Sequence, residues 1–182
     1  MIEDLLRDYQ TVFDLKPISE NMQINKNEII SLTSIGPYKN VIGLTVLRPN
    51  HIYSFSFKII TALTCKIGVV KKKVADDLQN EGKDFTGAFS DNKDGYSVFS
   101  NGHPRHGSKK DPQIQNKPFF RALGPGDVVS VVFDGIEGRL SFYLNSELGG
   151  YFIDKVFTIE EFYPAVAIQG DNQKLLQILL DN

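Results

Sequence analysis

The chain has 182 residues, with 20 lysines and arginines against 22 aspartates and glutamates, one cysteine and no tryptophan. This length favours one domain that buries its own core, and the balanced charge argues against a nucleic-acid-binding protein. A lone cysteine cannot form an internal disulfide. The N-terminus lacks the apolar segment of a secretory signal, and no run is long enough to span a bilayer. We therefore expect an intracellular, cytoplasmic protein without membrane insertion.

The first predicted element is a helix. Apolar side chains recur at helical spacing from Ile2 to Leu15, and Pro17 ends the pattern. This divides the chain into an N-terminal amphipathic helix, residues 1–17, and a second domain, residues 18–182. The apolar stripe either packs on that domain or binds a partner, and the sequence leaves both possibilities open.

After Pro17 the chain consists of short segments rich in β-branched and aromatic residues, separated by Gly, Pro, Asn and Asp. Many short strands separated by turn residues predict an all-β sandwich or barrel. The alternation from Tyr53 to Phe57 places aromatic rings on one face of a strand and serines on the other. The predicted strands are IISLTSIG, NVIGLTVL, HIYSFSFKII, TCKIGVV, GYSVFSNG, DVVSVVFD, RLSFYLN, YPAVAI and KLLQILL, the last of which follows a predicted Gly-Asp-Asn hairpin turn.

Residues 126–150 form the most regular predicted hairpin. Val128 to Phe133 is apolar on both faces, as expected of a central strand, and the glycine-containing turn at 134–138 follows. The alternation of the second strand predicts that Phe142 lies in the core. The three lysines at 71–73 are interpreted as a solvated strand end that discourages aggregation.

Five segments, in this order along the chain, resemble the SPRY domain family. They are IYSFSFKII, KIGVV, GYSVFSNG followed by HGSKK, GDVVSVVFDGIEGRLSFYLN, and FYPAVAI, and they span about residues 40–180. The chain departs from the family in lacking a Trp in the strand at 53–60 and in having NSELGG where an Asn-Gly turn is commoner. The resemblance implies a bent, two-sheet, concanavalin-like sandwich that recognises peptides or folded proteins through loops at one rim, without catalysis.

The segment 96–110, YSVFSNGHPRHGSKK, is the candidate binding loop. It combines aromatic rings with cations and contains no acidic residue. Aromatic and arginine side chains are enriched at protein interfaces, and the resemblance also implies a rim here. We predict that the loop contacts an acidic or polar group on a partner protein, as part of an adaptor or complex subunit. The candidate contacts are Tyr96, Phe99, Asn101, His103, Arg105, His106, Lys109 and Lys110.

Sugar binding, catalysis and metal binding are the alternatives. A carbohydrate-binding sandwich is the main one, although the chain has no Trp to stack on a sugar ring. A hydrolase using His103 or His106 ranks third, since a nucleophile needs a positioned base, and Cys65 lies in an apolar strand where thiols are usually inert. Two histidines are too few for a metal site, and the segment from residue 90 has Ser90 and Asn101 at the two positions where a calcium loop needs Asp and Glu. We expect no enzyme activity and no cofactor.

Overall fold

The computed structural model describes residues 14–32, 37–61, 64–107 and 117–178. Within these ranges the chain forms thirteen strands, one α-helix and one 3-10 helix. The strands are β1 (Leu15–Pro17), β2 (Met22–Asn25), β3 (Glu28–Ser31), β4 (Lys39–Gly43), β5 (Ile52–Ile59), β6 (Cys65–Lys71), β7 (Gly95–Phe99), β8 (Pro104–Arg105), β9 (Val128–Asp134), β10 (Arg139–Leu144), β11 (Glu147–Ile153), β12 (Phe162–Ile168) and β13 (Lys174–Ile178). The helices are α1 (Lys72–Asn80) and the 3-10 helix Lys155–Thr158.

The strands form two antiparallel sheets. One sheet has six strands in the order β1-β4-β12-β6-β7-β8, and the other has seven in the order β11-β10-β9-β5-β13-β3-β2. Every strand pairing among the described residues is antiparallel. The predicted all-β sandwich is confirmed, and each predicted strand segment overlaps an observed strand.

The main hydrophobic core lies between the sheets and is dominated by aromatic rings. Phe55 and Phe57 of β5 and Phe142 of β10 are almost fully buried there, which confirms the core position predicted for Phe142 and the shared face predicted for Phe55 and Phe57. The serines of β5 lie on the opposite face, where the Ser56 and Ser130 hydroxyls share a hydrogen bond of 2.7 Å. β9 is a central strand between β10 and β5, which confirms that prediction.

A second hydrophobic cluster covers the outer face of the six-stranded sheet. Ala75 of α1, together with Phe85 and Phe89 of the segment that follows, packs on side chains of that sheet, including Val70. The helix and the segment 81–94 therefore close this face from solvent. No helix among the described residues has the length and apolar character needed to cross a membrane.

The interpretation of the lysine run as a strand end is wrong for two of its three residues. Lys71 ends β6, but Lys72 and Lys73 begin α1. Their ammonium groups pair with Asp76 and Asp77, at distances of 2.5 and 2.7 Å, one helical turn along the chain. Opposite charges four residues apart stabilise a helix, and this spacing was the signal that the sequence offered.

The last three residues of the predicted N-terminal helix, residues 1–17, form a strand instead. Residues 1–13, which carry most of the predicted helix, lie outside the described residues. Leu15–Pro17 forms β1 and pairs with β4, so these residues belong to the sandwich. A residue that precedes proline disfavours the helical conformation, and Lys16 accordingly extends the chain into a strand.

The turn at 170–172 connects the two sheets instead of forming the predicted hairpin. β12 before the turn belongs to the six-stranded sheet, and β13 after it belongs to the seven-stranded sheet. Gly170 and Asn172 adopt φ angles of 114° and 50°, which these two residue types tolerate better than others. The chain thus crosses from one layer to the other at this end of the sandwich.

Candidate interaction surface

The turn between β7 and β8, residues 99–103, is anchored on both sides by backbone hydrogen bonds. The Ser100 N–H donates to the Cys65 carbonyl at 2.9 Å, at the start of β6. The Leu123 N–H donates to the Ser100 carbonyl at 2.7 Å, from the loop that precedes β9. The turn is therefore held between two neighbouring segments.

Gly102 is required where this turn meets the loop before β9. Its φ angle is +87°, in the region that favours glycine. A Cβ at this position would lie 1.8 Å from the Phe120 carbonyl oxygen. The close approach also allows the Phe119 N–H to donate to the Gly102 carbonyl at 2.8 Å. Any larger residue would push the two loops apart.

Two further loops reach the same end of the sandwich. The Gln169 N–H donates to the Thr64 carbonyl at 2.9 Å, and the Thr61 hydroxyl donates to the Asn172 carbonyl at 3.1 Å. We call this end the rim, and it comprises the described residues of loops 60–64, 99–105, 117–126 and 169–173.

The exposed part of the predicted binding loop is built around one aromatic ring and one cation. Asn101 is exposed, whereas Phe99, His103 and Arg105 are half-buried. The Arg105 guanidinium carbon lies 5.4 Å from the centroid of the Phe99 ring, in a cation–π contact. The Asn101 side-chain oxygen accepts the His103 N–H at 3.1 Å and shapes the turn. Four of the eight predicted contact residues therefore share one surface.

A buried lysine lies beneath this surface. Lys66 is 5 % exposed, forms an ion pair with Asp91, and places its ammonium nitrogen 4.7 Å from the Tyr38 ring centroid and 5.9 Å from that of Phe99. Burial raises the pKa of the Tyr38 phenol, and the Asp91 charge adds to the effect. The Asp91 carboxylate neutralises the positive charge of Lys66, whereas no carboxylate among the described residues forms an ion pair with Arg105.

Tyr96 and His106 lie inside the protein, so the prediction that they contact a partner needs correction. Their exposed fractions are 2 % and 5 %, because β7 directs Tyr96 into the core and His106 stacks on it with ring centroids 3.7 Å apart. The Tyr96 hydroxyl donates to Asp154 at 2.5 Å, and the His106 Nδ1 donates to the Gly95 carbonyl at 2.9 Å. These residues support the β7–β8 hairpin from within.

Lys109 and Lys110 lie outside the described residues. The two histidines of the HPRH motif do not form a common exposed pair, because His106 is buried and His103 lies at the surface. Cys65 is fully buried, and burial raises the pKa of its thiol to about 12. Among the described residues, no group of three His, Cys, Asp or Glu side chains is placed to hold a metal ion.

A buried aspartate joins the loop before β9 to the β10–β11 turn. Arg121 binds Asp127 through both carboxylate oxygens, at 2.6 and 2.7 Å. The Asn145 side-chain amide donates to Asp127 at 2.9 Å, and the Gly124 N–H donates at 2.8 Å. The bond from Arg121 is the largest influence that holds the pKa of this carboxyl well below its usual range. Asp127 and Asn145 are visible in the sequence as parts of the predicted hairpin at 126–150. No pattern in the sequence, however, indicates that their side chains contact each other or Arg121.

A protein-family model described as SPRY domain matches residues 52–181 of this chain. The chain belongs to the SPRY domain family. SPRY domains are generally non-catalytic modules that bind other proteins. No curated protein matches the chain in sequence.

Solved structures with the same fold include other SPRY domains. The SPRY domain of human HERC1 has a TM-score of 0.69 and 17 % identity, and the match covers 94 % of this chain and 99 % of that one. The TRIM65 PSpry domain has a TM-score of 0.68 and 11 % identity, with 98 % of each chain covered. Stonustoxin has a TM-score of 0.68 and 18 % identity, covering 95 % of this chain and 28 % of that one. At these identities the likeness shows the fold alone.

This SPRY domain has a packing reason for its departure at NSELGG. The rings of Phe119 and Phe120 lie directly against the backbone of Gly149 and Gly150 in β11. A Cβ on Gly150 would lie 2.1 Å from the Phe119 ring, and one on Gly149 would lie 2.3 Å from the Phe120 ring. The two glycines therefore allow the loop before β9 to pack its rings against β11, beside the main core.

Proposed function

We propose that this SPRY domain is a non-catalytic interaction module whose rim binds another protein, as an adaptor or as a subunit of an intracellular assembly. The observation that carries the proposal is the contact between Arg105 and Phe99 at the rim surface. It combines a cation that lacks an ion-pair partner among the described residues with an adjacent, partly exposed aromatic ring. Arginine and aromatic side chains contribute most often to the binding energy of protein interfaces.

The chemistry of this pair favours a partner that presents a carboxylate. An arginine guanidinium binds a carboxylate through two parallel hydrogen bonds, and the neighbouring ring offers apolar contact to the rest of the residue. The stacking contact already orders the Arg105 side chain, so less conformational freedom is lost on binding. The exposed amide of Asn101 lies in the same turn and supplies further hydrogen-bonding groups.

The fixed backbone of the turn supports the same proposal. Hydrogen bonds from Ser100 and Leu123, together with the close packing of Gly102, hold the turn in one position between its neighbours. A binding surface that is ordered before the partner arrives loses less entropy on association. Loops held by a rigid sheet are also common locations for binding residues.

The test requires a partner, which affinity capture from the source cell and mass spectrometry would identify. We expect the double variant Phe99→Ala with Arg105→Glu to weaken that complex at least about tenfold in calorimetry, since it removes the ring and reverses the charge. The matched control is Arg48→Glu, which reverses another arginine at the opposite end of the sandwich, where Arg48 makes an exposed ion pair of 3.6 Å with Glu161. A folded double variant that binds within about twofold of the parent contradicts the proposed site.

The same complex separates protein recognition from sugar recognition. We expect free monosaccharides and oligosaccharides to leave binding unchanged, and a peptide from the partner that contains the carboxylate to compete. Competition by sugars, together with loss of binding after deglycosylation of the partner, would favour the carbohydrate-binding alternative.

A further inference from the structure

The outer edges of the two sheets differ in how they are protected from pairing with another strand. β1 has three residues and ends in Pro17, β8 consists of Pro104 and Arg105, and β2 has four residues. β11 has seven residues, and the segment from Leu148 to Ile153 contains no proline and no charged side chain. Proline, charge and short length are among the usual protections of sheet edges. Among the described residues, β11 pairs with β10 only.

The hydrogen-bond pattern identifies which backbone groups of β11 point away from β10. The Asp154 N–H donates to the Gly138 carbonyl at 3.0 Å, and the strand register places Phe152 opposite Leu140. In an antiparallel pair, the residues that bond across the ladder alternate along each strand. Residues 150, 152 and 154 therefore bond towards β10, and the backbone groups of Tyr151 and Ile153 face the open edge.

The side chains of the same two residues are exposed and apolar. Tyr151 is 49 % exposed and Ile153 is 65 % exposed, and both lie on the outer face of the seven-stranded sheet. The Arg139 guanidinium lies 5.9 Å from the Tyr151 ring centroid, so the ring is already partly ordered. The edge thus offers outward backbone groups and apolar side chains at the same positions.

We propose that β11 pairs in antiparallel fashion with β11 of a second copy of this chain. Tyr151 of one copy lies opposite Ile153 of the other, and two-fold symmetry repeats this pair, with Phe152 opposite its own counterpart at the centre. Both outward residues then exchange backbone hydrogen bonds, and a tyrosine packs beside an isoleucine twice on one face. The two seven-stranded sheets become one continuous sheet.

The charges at the ends of β11 agree with this arrangement. Glu147 begins the strand and Lys155 follows its end, and both side chains are exposed. An antiparallel, two-fold pairing brings the Lys155 end of each copy alongside the Glu147 end of the other. The formal net charge of −2 also produces little repulsion between copies. A second copy of the chain is a suitable partner, because a two-fold interface uses the same surface of both copies and β11 can therefore pair with its own counterpart.

The interface is small, so the dimer forms at high protein concentration. Sedimentation velocity from about 5 to 500 µM covers the weak range expected of such contacts. We expect the parent to shift from the 20.4 kDa monomer towards twice that mass, and Ile153→Lys to remain a monomer throughout. Leu44→Lys is the matched control, because Leu44 is 48 % exposed, lies beyond β4 and undergoes the same change in charge. Thermal unfolding of each variant verifies its fold.

Disulfide trapping tests the register. We expect a mixture of Tyr151→Cys and Ile153→Cys chains to form crosslinked dimers under mild oxidation, since hydrogen-bonded pairs have Cα atoms about 5.5 Å apart, within disulfide reach. Either variant alone should crosslink far more slowly. In that case the two cysteines of a dimer stand at the same position in both copies, and the proposed register makes them diagonal neighbours, which are farther apart than directly opposite residues. The native Cys65 is fully buried and does not compete.

Hydrogen exchange at the Tyr151 and Ile153 N–H groups completes the test. We expect their protection to rise with protein concentration in the parent and to stay low in Ile153→Lys. Protection that is independent of concentration would show that another segment of the same chain covers the edge, and would overturn the proposal. A parent that remains monomeric, or an Ile153→Lys variant that still dimerises, would overturn it equally.

Discussion

The β9–β10 hairpin and the rim turn at 99–105 both contain aromatic rings, but the rings have different surroundings. In the hairpin, Phe142 is fully buried between the sheets and contacts the Phe152 ring with centroids 6.0 Å apart. In the turn, Phe99 is half-buried and contacts the Arg105 guanidinium. The rings of the hairpin pack between the sheets, whereas the turn lies at the surface and is positioned by backbone hydrogen bonds to β6 and to the loop before β9.

The face of the strand on which an aromatic residue lies decides what its ring contacts. Tyr96 and Phe99 both belong to β7, three residues apart, so they point to opposite faces of the sheet. Tyr96 enters the core and Phe99 reaches the outer surface. Changes in the core should therefore lower stability without altering the rim, and changes in the rim residues should mainly weaken binding and lower stability less.

The largest expected effect is that of Phe142→Ala. Removing a fully buried ring from the main core should lower the free energy of unfolding by about 3–5 kcal/mol, as is usual for this truncation. Urea unfolding followed by circular dichroism measures the loss. Binding per folded molecule should stay at the parental value.

Phe99→Ala is the matched control for this core change, because it removes the same ring from a half-buried position. We expect it to lower the free energy of unfolding clearly less, by about 1 kcal/mol, because the Phe99 ring buries a smaller apolar area than the Phe142 ring. A loss below about 1 kcal/mol for Phe142→Ala, or equal losses for both variants, would contradict the division between core and rim.

Asp127→Asn should have the second largest effect. The carboxylate binds Arg121 and Asn145, and hydrogen bonds to a charged group contribute about 1.5–3 kcal/mol each when buried. Arg121 is largely exposed, so solvent screens its interaction with the carboxylate. We therefore expect the substitution to lower the free energy of unfolding by about 1–3 kcal/mol. Thermal or urea unfolding at pH 7 gives this value. Asp171→Asn, an exposed aspartate of the rim, should change stability little.

The same aspartate should make stability depend on acidity. Its folded-state pKa is lowered, so the unfolded chain binds the proton more readily near pH 4. The stabilisation is complete above the unfolded-state pKa of about 4 and is lost as the pH falls through the lower folded-state pKa. The difference in stability between parent and Asp127→Asn should therefore be constant from pH 7 to about 5 and shrink below about 4. A difference that grows in acid would contradict the assignment.

Most of the sheet structure could be predicted because alternation and turn residues are local signals. Alternation alone predicts that Phe142 lies in the core and that Phe55 and Phe57 share one face of their strand, and the structure confirms both. The sequence does not predict β11, because its Gly149–Gly150 pair weakens the β signal; in the fold, Phe119 and Phe120 pack on these glycines. β1 and β8 have three and two residues and carry too little pattern to detect. Their pairing depends on contacts distant in sequence.

The candidate site was predicted less completely for the same physical reason. Composition identified the segment at 96–110 as cationic and aromatic, but it did not show which face each side chain occupies. The sequence pattern predicts that Tyr96 contacts a partner, whereas its hydroxyl donates to Asp154, which lies far along the chain. The positions of Lys66 and Tyr38 beside Phe99 likewise depend on the folded sheet.

The smallest expected effect is that of Tyr96→Phe, which separates support of the rim from contact with a partner. The variant keeps the ring that stacks on His106 and removes the hydroxyl that donates to Asp154 at 2.5 Å. We expect a loss of about 1 kcal/mol in the free energy of unfolding, the typical contribution of one hydrogen bond. Calorimetry with the identified partner should give an unchanged affinity, because Tyr96 is 2 % exposed.

Tyr53→Phe is the control for this variant, because the Tyr53 hydroxyl has no hydrogen bond to another described residue and its ring also packs against the core. It should leave stability within about 0.5 kcal/mol of the parent. A Tyr96→Phe protein that matches the parent in stability but binds the partner more than about tenfold more weakly would show that the hydroxyl reaches the partner. Binding would then have to open the β7–β8 hairpin, since the Tyr96 hydroxyl is directed towards Asp154 inside the sandwich.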